Sequence, residues 1–198
     1  MKNFLTLIFA ALLSALSLSV AAQTDKPKHL EFMGIPIDGN VNSFVAKLQA
    51  KGLKFVKWEE GSAIMSGDFI GRKCFMVVFP TPKSKTTHSV IVIVQGAKVW
   101  SSLKSQYDNL VRLYTDKYGE PDEVEQTFKS PFHEGDGFEI LSVQKDRCSY
   151  KTTWRLDENK IVTGTVIAIG IDSSCDIMIG YADGINLCKH TEEQQSDI

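Results

Sequence analysis

The apolar positions of the chain follow helix spacing and then strand spacing, and this order occurs twice. In the first half, a helix is predicted to begin after Asn40 or Asn42, either of which can cap it, and to end at Gly52. Its apolar face recurs at steps of three and four residues and consists of Val41, Phe44, Val45 and Leu48. The spacing therefore predicts an amphipathic helix at the start of this half.

The second half opens with a longer helix, predicted over Trp100 to Tyr118. Six apolar or aromatic side chains fall on one face of this helix, namely Trp100, Leu103, Tyr107, Leu110, Val111 and Tyr114. Gly119 and Pro121 follow the helix and end it, because proline has no amide N–H with which to continue the hydrogen-bond pattern.

Four strands are predicted after each helix, from runs of β-branched and aromatic residues between turn residues. After the first helix they are Leu53 to Trp58, Ala63 to Ile70, Lys73 to Phe79 and Ser89 to Gln95. After the second helix they are Glu123 to Phe128, Cys148 to Leu156, Ile161 to Ile171 and Cys175 to Tyr181. A short helix over Gly137 to Gln144, capped by Asp136, is predicted after Glu123 to Phe128.

This order predicts an α+β fold in which the helices pack on a mainly antiparallel sheet. The halves, residues 29–96 and 97–183, each contain an initial helix and a strong apolar hairpin, which predicts a tandem repeat within one compact unit, residues 23–188. Chance recurrence of the same order is the alternative. The polar tail, residues 189–198, is assigned no function.

Two predicted strands are apolar at almost every position, Val90 to Val94 and Val166 to Ile171. Strands of this kind are covered on both faces, so we expect helices on one side of the central sheet and another layer on the other. By contrast, Cys148 to Leu156 alternates between apolar and polar residues. Its polar positions are expected on an open face of the sheet and are Ser149, Lys151, Thr153 and Arg155.

The first 22 residues have the pattern of a signal peptide. Lys2 supplies a positive start, Phe4 to Val20 an apolar run, and Ala21 and Ala22 the small residues that signal peptidase requires. The run is short for a bilayer span of about 20 residues, and Gln23 stands where a lipoprotein would need a cysteine. We therefore expect cleavage between Ala22 and Gln23, and a periplasmic or secreted protein whose mature chain has no transmembrane anchor.

The charge of the mature chain argues against nucleic acid as a partner. Cleavage leaves 176 of the 198 residues, with 21 basic and 24 acidic side chains once Lys2 is removed. The basic residues are interleaved with acidic ones, whereas nucleic-acid binding requires clustered Lys and Arg. The sequence contains no cofactor motif, so no cofactor is expected.

Four cysteines remain in a compartment where disulfides persist: Cys74, Cys148, Cys175 and Cys188. Three complete pairings are possible. A hairpin that places Cys148 opposite Ile169 would leave Cys175 two strands away, beyond the roughly 7 Å between α-carbons that a disulfide tolerates. Cys188 lies on the C-terminal tail and could reach either Cys148 or Cys175. Of these pairings we favour a Cys175–Cys188 disulfide, with Cys74 and Cys148 as buried thiols.

The loop from Pro131 to Asp136 contains the residues most suggestive of chemistry, His133, Glu134 and Asp136. An imidazole and two carboxylates can bind a cation or transfer a proton. A zinc site would normally draw its ligands from a second pair as well, and none accompanies them. The alternative is a turn in which Asp136 caps the following helix and Glu134 interacts with its dipole. No catalytic triad is recognisable, so the sequence does not favour an enzyme.

Trp58 and Tyr181 stand at strand ends, close to acidic residues. Because Trp and Tyr dominate binding hot spots, each is a candidate anchor on a surface that faces a partner. Trp100 and Trp154 follow apolar stripes and are expected in the core.

Several short segments resemble a group of uncharacterised exported proteins from Bacteroidetes. They are Phe32 to Gly39, Trp100 to Lys104, Lys117 to Pro121 and Glu134 to Gly137. The resemblance covers nearly the whole mature chain and rests on apolar and turn residues, so it implies a shared fold and no chemistry. The helix-plus-strands tandem is also similar in outline to the beta-lactamase-inhibitor-protein architecture, which implies a concave sheet that holds another protein.

These features predict an exported soluble module that binds or inhibits another protein or an envelope component. The residues expected to carry the binding are Trp58, Lys151, Thr153, Arg155 and Tyr181. The first alternative is a small envelope hydrolase or metal-dependent enzyme that uses His133, Glu134 and Asp136. A structural component of an outer-membrane assembly is the second.

Overall fold

The computed structural model describes residues 28–156 and 164–196. The strands are β1 (Glu31–Phe32), β2 (Ile35–Pro36), β3 (Lys54–Glu59), β4 (Ser62–Phe69), β5 (Arg72–Pro80), β6 (Thr87–Val94), β7 (Glu123–Phe128), β8 (Cys148–Arg155), β9 (Val166–Ile171) and β10 (Ile177–Ala182). The helices are α1 (Val41–Ala50), α2 (Trp100–Tyr118), α3 (Glu139–Gln144) and α4 (Gly184–Gln195). The predicted cleavage site at Ala22 and Gln23 lies outside the described residues.

Strands β3 to β10 form an eight-stranded antiparallel sheet in the order β3-β4-β5-β6-β10-β9-β8-β7. The short strands β1 and β2 pair with each other and not with this sheet. The predicted α+β class is confirmed. The helix predicted over Trp100 to Tyr118 matches α2, and the strand bounds agree to within about two residues, except that the predicted start of β9 at Ile161 lies outside the described residues.

Helix α1 forms where the apolar spacing predicts it. The side chain of Asn40 accepts a hydrogen bond of 2.9 Å from the backbone N–H of Asn42, which satisfies a donor that the first turn leaves without a partner. Gly52 follows the helix with a φ of 95°, a left-handed conformation that suits glycine. The four apolar residues of the predicted face are buried.

One face of the sheet packs against α1 and α2 and forms the core. Its strand residues include Met65, Met76, Val92, Ile169 and Ile179, all fully buried. Helix α2 adds the buried residues Leu103, Tyr107, Leu110 and Tyr114. Burying one large apolar side chain stabilises the fold by about 1.5–3 kcal/mol, so this interface is the main source of stability. The indole N–H of Trp154 donates to the carbonyl of Gly119 at 2.9 Å and fixes the end of α2 on β8.

A buried polar cluster at the start of α4 joins distant parts of the chain. The fully buried carboxylate of Asp183 accepts hydrogen bonds from the backbone N–H groups of Asn186 at 3.0 Å and Leu30 at 2.8 Å. The Nδ1 atom of His29 lies 3.1 Å from the same carboxylate. The side chain of Asn186 donates to the carbonyl of Ile37 at 2.9 Å. Asp183 therefore caps α4 and also fixes the segment that leads into β1.

The predicted register of the hairpin formed by β8 and β9 is wrong. Thr152, and not Cys148, lies opposite Ile169. The last pair before the loop is Arg155 with Val166, so the connection is longer than the four-residue turn that the prediction assumed. A longer loop shifts the pairing of every residue in the hairpin.

Candidate functional site

The sheet face that points away from the helices carries a continuous set of apolar side chains. In β5, Cys74, Met76 and Val78 are buried in the core, so the alternating Phe75 and Val77 point to the opposite side. Phe75 is 57% exposed. The same alternation assigns the partly or fully exposed residues Ile64, Phe75, Val77, Ile91, Ile93, Ala168, Gly170, Met178 and Gly180 to this side. We call this surface the open face.

Strand pairing arranges the open face in rows that cross the sheet. One row contains Ser66, Phe75, Ile93, Met178, Gly170 and Lys151. The next row contains Ile64, Val77, Ile91, Gly180, Ala168 and Thr153. Bulky residues therefore lie on β4, β5 and β6, whereas small residues predominate on β9 and β10.

Charged residues border the open face at both edges of the sheet. On β3 they are Lys54, Lys57 and Glu59, and on β7 they are Glu123 and Glu125. The Nζ atom of Lys57 lies 2.7 Å from Oε1 of Glu59. The Nη2 atom of Arg155, on β8, lies 3.8 Å from Oε2 of Glu123. All are exposed, so these ion pairs contribute little to folding stability.

The prediction that the central strands are covered on both faces is wrong for the described residues. Ile91 and Ile93 on β6 are partly exposed on the open face, although Val90, Val92 and Val94 are buried on the other. Helices α1 and α2 pack on the core side, and on the open face the described helices contribute His190 of α4 at one end of the sheet. The apolar run of β6 therefore contains more apolar surface than the described chain buries.

The five residues predicted to bind a partner do not lie on one exposed surface. Lys151 and Arg155 are exposed on the open face, as predicted. Thr153 shares their face but is 4% exposed, so the prediction of exposure is wrong for this residue. It lies between Lys151 and Arg155 along β8, and it pairs with Glu123 on β7 and Ala168 on β9.

The two aromatic candidates have different surroundings. Trp58 is 46% exposed, and a bulge in β3 sets it opposite Ala63, a core residue, so it lies on the helix side and outside the open face. Its ring centre is 5.5 Å from that of Phe55. Tyr181 is 5% exposed, and its hydroxyl forms a hydrogen bond with that of Tyr114. The expectation that Tyr181 is an exposed anchor is therefore wrong, because its ring belongs to the core.

A pocket of about 610 Å³ lies at one end of the open face, between β4, β5 and the loop after β5. Two histidines line it, His88 and His190, with ring centres 4.5 Å apart. Burial, followed by the proximity of His190, lowers the pKa of His88 to about 4. His88 is thus neutral at pH 7, and its Nδ1 atom lies 2.8 Å from the hydroxyl of Ser89. Sequence reasoning missed this pair because no local motif connects the two residues.

The loop that contains His133 forms a hydrogen-bonded turn. The carboxylate of Asp136 accepts hydrogen bonds from the backbone N–H groups of His133 at 2.9 Å and Phe138 at 2.7 Å. These bonds lower the pKa of Asp136, with the bond from His133 as the largest cause. Helix α3 begins at Glu139 after Phe138, so the prediction that Asp136 is the cap of a helix starting at Gly137 is wrong.

The carboxylate of Glu134 influences Tyr150. Burial raises the pKa of Tyr150 above its ordinary value, and the neighbouring carboxylate of Glu134 raises it further. In residues 28–156 and 164–196, no group of three His, Cys, Asp or Glu side chains is arranged to hold a metal ion.

The predicted Cys175–Cys188 disulfide is not formed. Cys175 lies against Gly96, just beyond the end of β6, whereas α4, which carries Cys188, packs at the start of β6, where Asn186 donates to the carbonyl of Thr87. The length of β10 separates the two cysteines. The two residues predicted as buried thiols differ in burial, since Cys74 is buried and Cys148 is half-buried. Burial raises the pKa of Cys74 and raises that of Cys148 to about 11. Both thiols are thus protonated at neutral pH.

None of the helices in the described parts of the chain is both long enough and apolar enough to cross a membrane. The fold and the site define an α+β protein whose antiparallel sheet is covered by helices on one face. Comparison of the chain with protein-family models, curated proteins and solved structures gave no match.

Proposed function

We propose that the protein is a binding module that recognises another protein or an envelope component through the open face. The observation that carries this proposal is Phe75, an aromatic side chain that is 57% exposed among the apolar residues of a broad sheet. Contiguous apolar patches on a protein surface mark interaction sites, and aromatic anchors at their centre supply much of the binding energy. Lys151 and Arg155 border this patch and supply the polar rim that such interfaces have.

The module is proposed to consist of two similar halves, residues 29–96 and 97–183. Two observations support this division. A helix followed by four main strands occurs twice along the chain, and the strand order β3-β4-β5-β6 is continued by β10-β9-β8-β7. The last strands of the two halves, β6 and β10, thus pair at the centre of the sheet.

The place of action is proposed to be outside the cytoplasm, in the periplasm or the surrounding medium. The leader pattern that ends at Ala22 and the resemblance to exported Bacteroidetes proteins support this proposal. The likeness in outline to the beta-lactamase-inhibitor-protein architecture supports the use of a sheet face as the binding surface.

Affinity capture with matched variants tests the proposed surface. The purified protein is immobilised and exposed to envelope and culture-supernatant fractions, and retained proteins are identified by mass spectrometry. Phe75→Asp introduces a charge on the open face, whereas Leu113→Asp introduces the same charge at a 45% exposed position on α2, on the helix side of the sheet. We expect a saturable partner that the wild type and Leu113→Asp retain and Phe75→Asp loses. Equal retention by both variants would exclude the open face as the binding surface.

A further inference from the structure

We propose that, in the absence of its partner, the open face is covered by a second copy of the chain in a symmetric, face-to-face dimer. The inference rests on the proposed function, because both interactions use the same surface and the partner must displace the second copy. Four observations support it. They are the apolar pattern of β6, two glycines within strands, the complementary size and charge of the residues that a two-fold axis brings together, and the area of the open face.

The apolar pattern of β6 indicates that both faces of the central sheet are covered. Val90 and Val92 are buried in the core, while Ile91 and Ile93 are partly exposed on the other side. Strands that are apolar on both sides are typical of sheets with a layer on each face. The described chain covers this second face at one end, where His190 of α4 lines the pocket, so a second molecule is the source of the remaining layer.

Two glycines inside strands of the open face lack a sufficient explanation within a single chain. Gly180 on β10 and Gly170 on β9 do not have left-handed backbones, although glycine weakens a strand interior. A Cβ atom at position 180 would meet nothing closer than the carbonyl oxygen of Ala168, at 4.0 Å. Position 170 is tighter, with the carbonyl oxygen of Tyr150 at 3.3 Å. A glycine inside a strand marks a bulge, a tight bend, or a place where a ligand or another backbone approaches closely, and the pairing of β9 and β10 has no bulge at these positions.

The strand order determines how a second copy fits. Strands β6 and β10 lie at the centre of the sheet, so an axis parallel to the strands can pass between them. Half a turn about this axis places β5 over β9 of the second copy, and β6 over β10 of the second copy. The rotation does not change the position of a residue along the axis, so each row lies over the same row of the second copy. Phe75 therefore lies over Gly170 of the second copy. In the next row, Ile91 lies over Gly180 of the second copy.

The same rotation matches the charged edges. Lys54 shares a row with Glu125, and Lys57 shares a row with Glu123. Each lysine therefore lies over a glutamate of the second copy. With Glu59 included, the charged residues of β3 that border the open face sum to +1, and those of β7 sum to −2.

The other symmetric arrangement, with the axis across the strands, fits less well. It places each strand over the same strand of the second copy, so that lysine faces lysine at one edge and glutamate faces glutamate at the other. It also places the bulky residues of β5 over one another. Charge and side-chain size thus favour the axis parallel to the strands.

The area of the open face suits a stable dimer. With strands about 4.8 Å apart and about 3.4 Å per residue, eight strands of six residues present about 780 Å² per copy. A standard stable interface buries about 800 Å² per partner. Two twisted antiparallel sheets pack face to face when their strand directions are within about 30° of each other, which this axis allows.

Sedimentation equilibrium of the purified protein, over a concentration series, tests the dimer. We expect the wild type to have twice the mass of the chain, and Gly180→Val to raise the dissociation constant by more than about tenfold. Valine suits a strand, so the monomer should remain folded by circular dichroism. Leu113→Asp on α2 is the control and should stay dimeric. A wild type that is monomeric throughout, or a dimer that Gly180→Val leaves intact, would overturn the proposal.

Charge reversal tests the orientation without altering the apolar residues. One variant carries Lys54→Glu and Lys57→Glu, and the other carries Glu123→Lys and Glu125→Lys. In a dimer of either variant alone, β3 of each copy faces β7 of the other with charges of the same sign. We therefore expect about tenfold weaker self-association in low salt. Mixed together, they restore opposite charges and should form a dimer of one copy of each. Failure to form this mixed dimer would exclude the proposed axis.

The dimer and the proposed function fail in different ways. A monomeric protein that still captures a partner, and loses it with Phe75→Asp, would overturn the dimer and leave the binding function standing. A dimer that Gly180→Val disrupts supports the inference whether or not a partner is captured. If a partner is found, adding it should convert the dimer into a complex with one copy of the chain.

Discussion

The hydroxyl of Tyr107 lies 2.7 Å from the hydroxyl of Thr152, in the core between α2 and β8. Both residues are fully buried. Burial raises the pKa of Tyr107 to about 12, so the phenol is protonated and can donate or accept in this bond. The bond joins the helix of the second half to the sheet inside the core.

We therefore expect Tyr107→Phe to lower the free energy of unfolding by about 1–2 kcal/mol, because Thr152 loses its buried partner. Urea denaturation measures the change. Thr152→Val is the matched variant, and the double variant should be less destabilised than the sum of the two single changes. Strict additivity would show that the two hydroxyls are not energetically coupled.

Gly96 is the position least tolerant of a larger side chain. A Cβ atom there would lie 1.8 Å from the carbonyl oxygen of Cys175 and 2.8 Å from the side chain of Leu103. We expect Gly96→Ala to destabilise the protein by more than about 3 kcal/mol or to prevent folding, because the backbone at Cys175 must move. Gly180→Ala is the control and should be nearly neutral. Similar thermal unfolding of the two variants would contradict this expectation.

Because His88 is buried and neutral, we expect the protein to lose folding stability in mild acid. Its pKa is lowered from 6.5 to about 4 in the folded protein, so between these values the unfolded chain binds a proton that the folded chain does not. The stability that neutral His88 contributes is therefore present above pH 6.5 and decreases as the pH falls towards 4. Urea midpoints measured across this range should decrease less steeply for His88→Phe than for the wild type. Parallel curves would show that another group is responsible.

His133→Ala separates the binding module from the enzyme alternative. The side chain of His133 is 75% exposed, and its described contacts are with Asp136 in the same turn. We expect a change in unfolding free energy within about 0.5 kcal/mol and unchanged partner capture. The measurements are urea denaturation, a screen of esterase, peptidase and glycosidase substrates, and metal analysis. Wild-type activity or bound metal that His133→Ala abolishes would favour the hydrolase instead.

Helices α1 and α2 and most strands could be predicted because their signals are local. The buried side chains of α2 recur at intervals of three and four residues, and Gly119 ends the helix. Both ends of the helix are therefore encoded within the segment itself. The alternation of Lys151 and Arg155 with core residues likewise predicted their exposure. Burial of Thr153 depends on the neighbouring strand, and that information is not local.

The remaining errors involve contacts between distant segments. The shifted register of Thr152 and Ile169 reflects the length of a loop, which apolar periodicity does not encode. Tyr181 stands at a strand end in the sequence, yet α2 covers it through Tyr114. The open face depends on the pairing of β6 with β10, so no single segment reveals that Phe75 and Gly170 share one row.

The central position of β10 also determines when the sheet can be completed. This strand is the last of the sheet along the chain, and it alone joins the strands of the first half to those of the second. Pairs such as Ile91 with Gly180 close a very long loop, and contacts of this kind form slowly. A ribosome that holds back the last residues therefore keeps the two sets of strands apart. Under the proposed export, the chain would stay incompletely folded until its C-terminal segment has crossed the membrane.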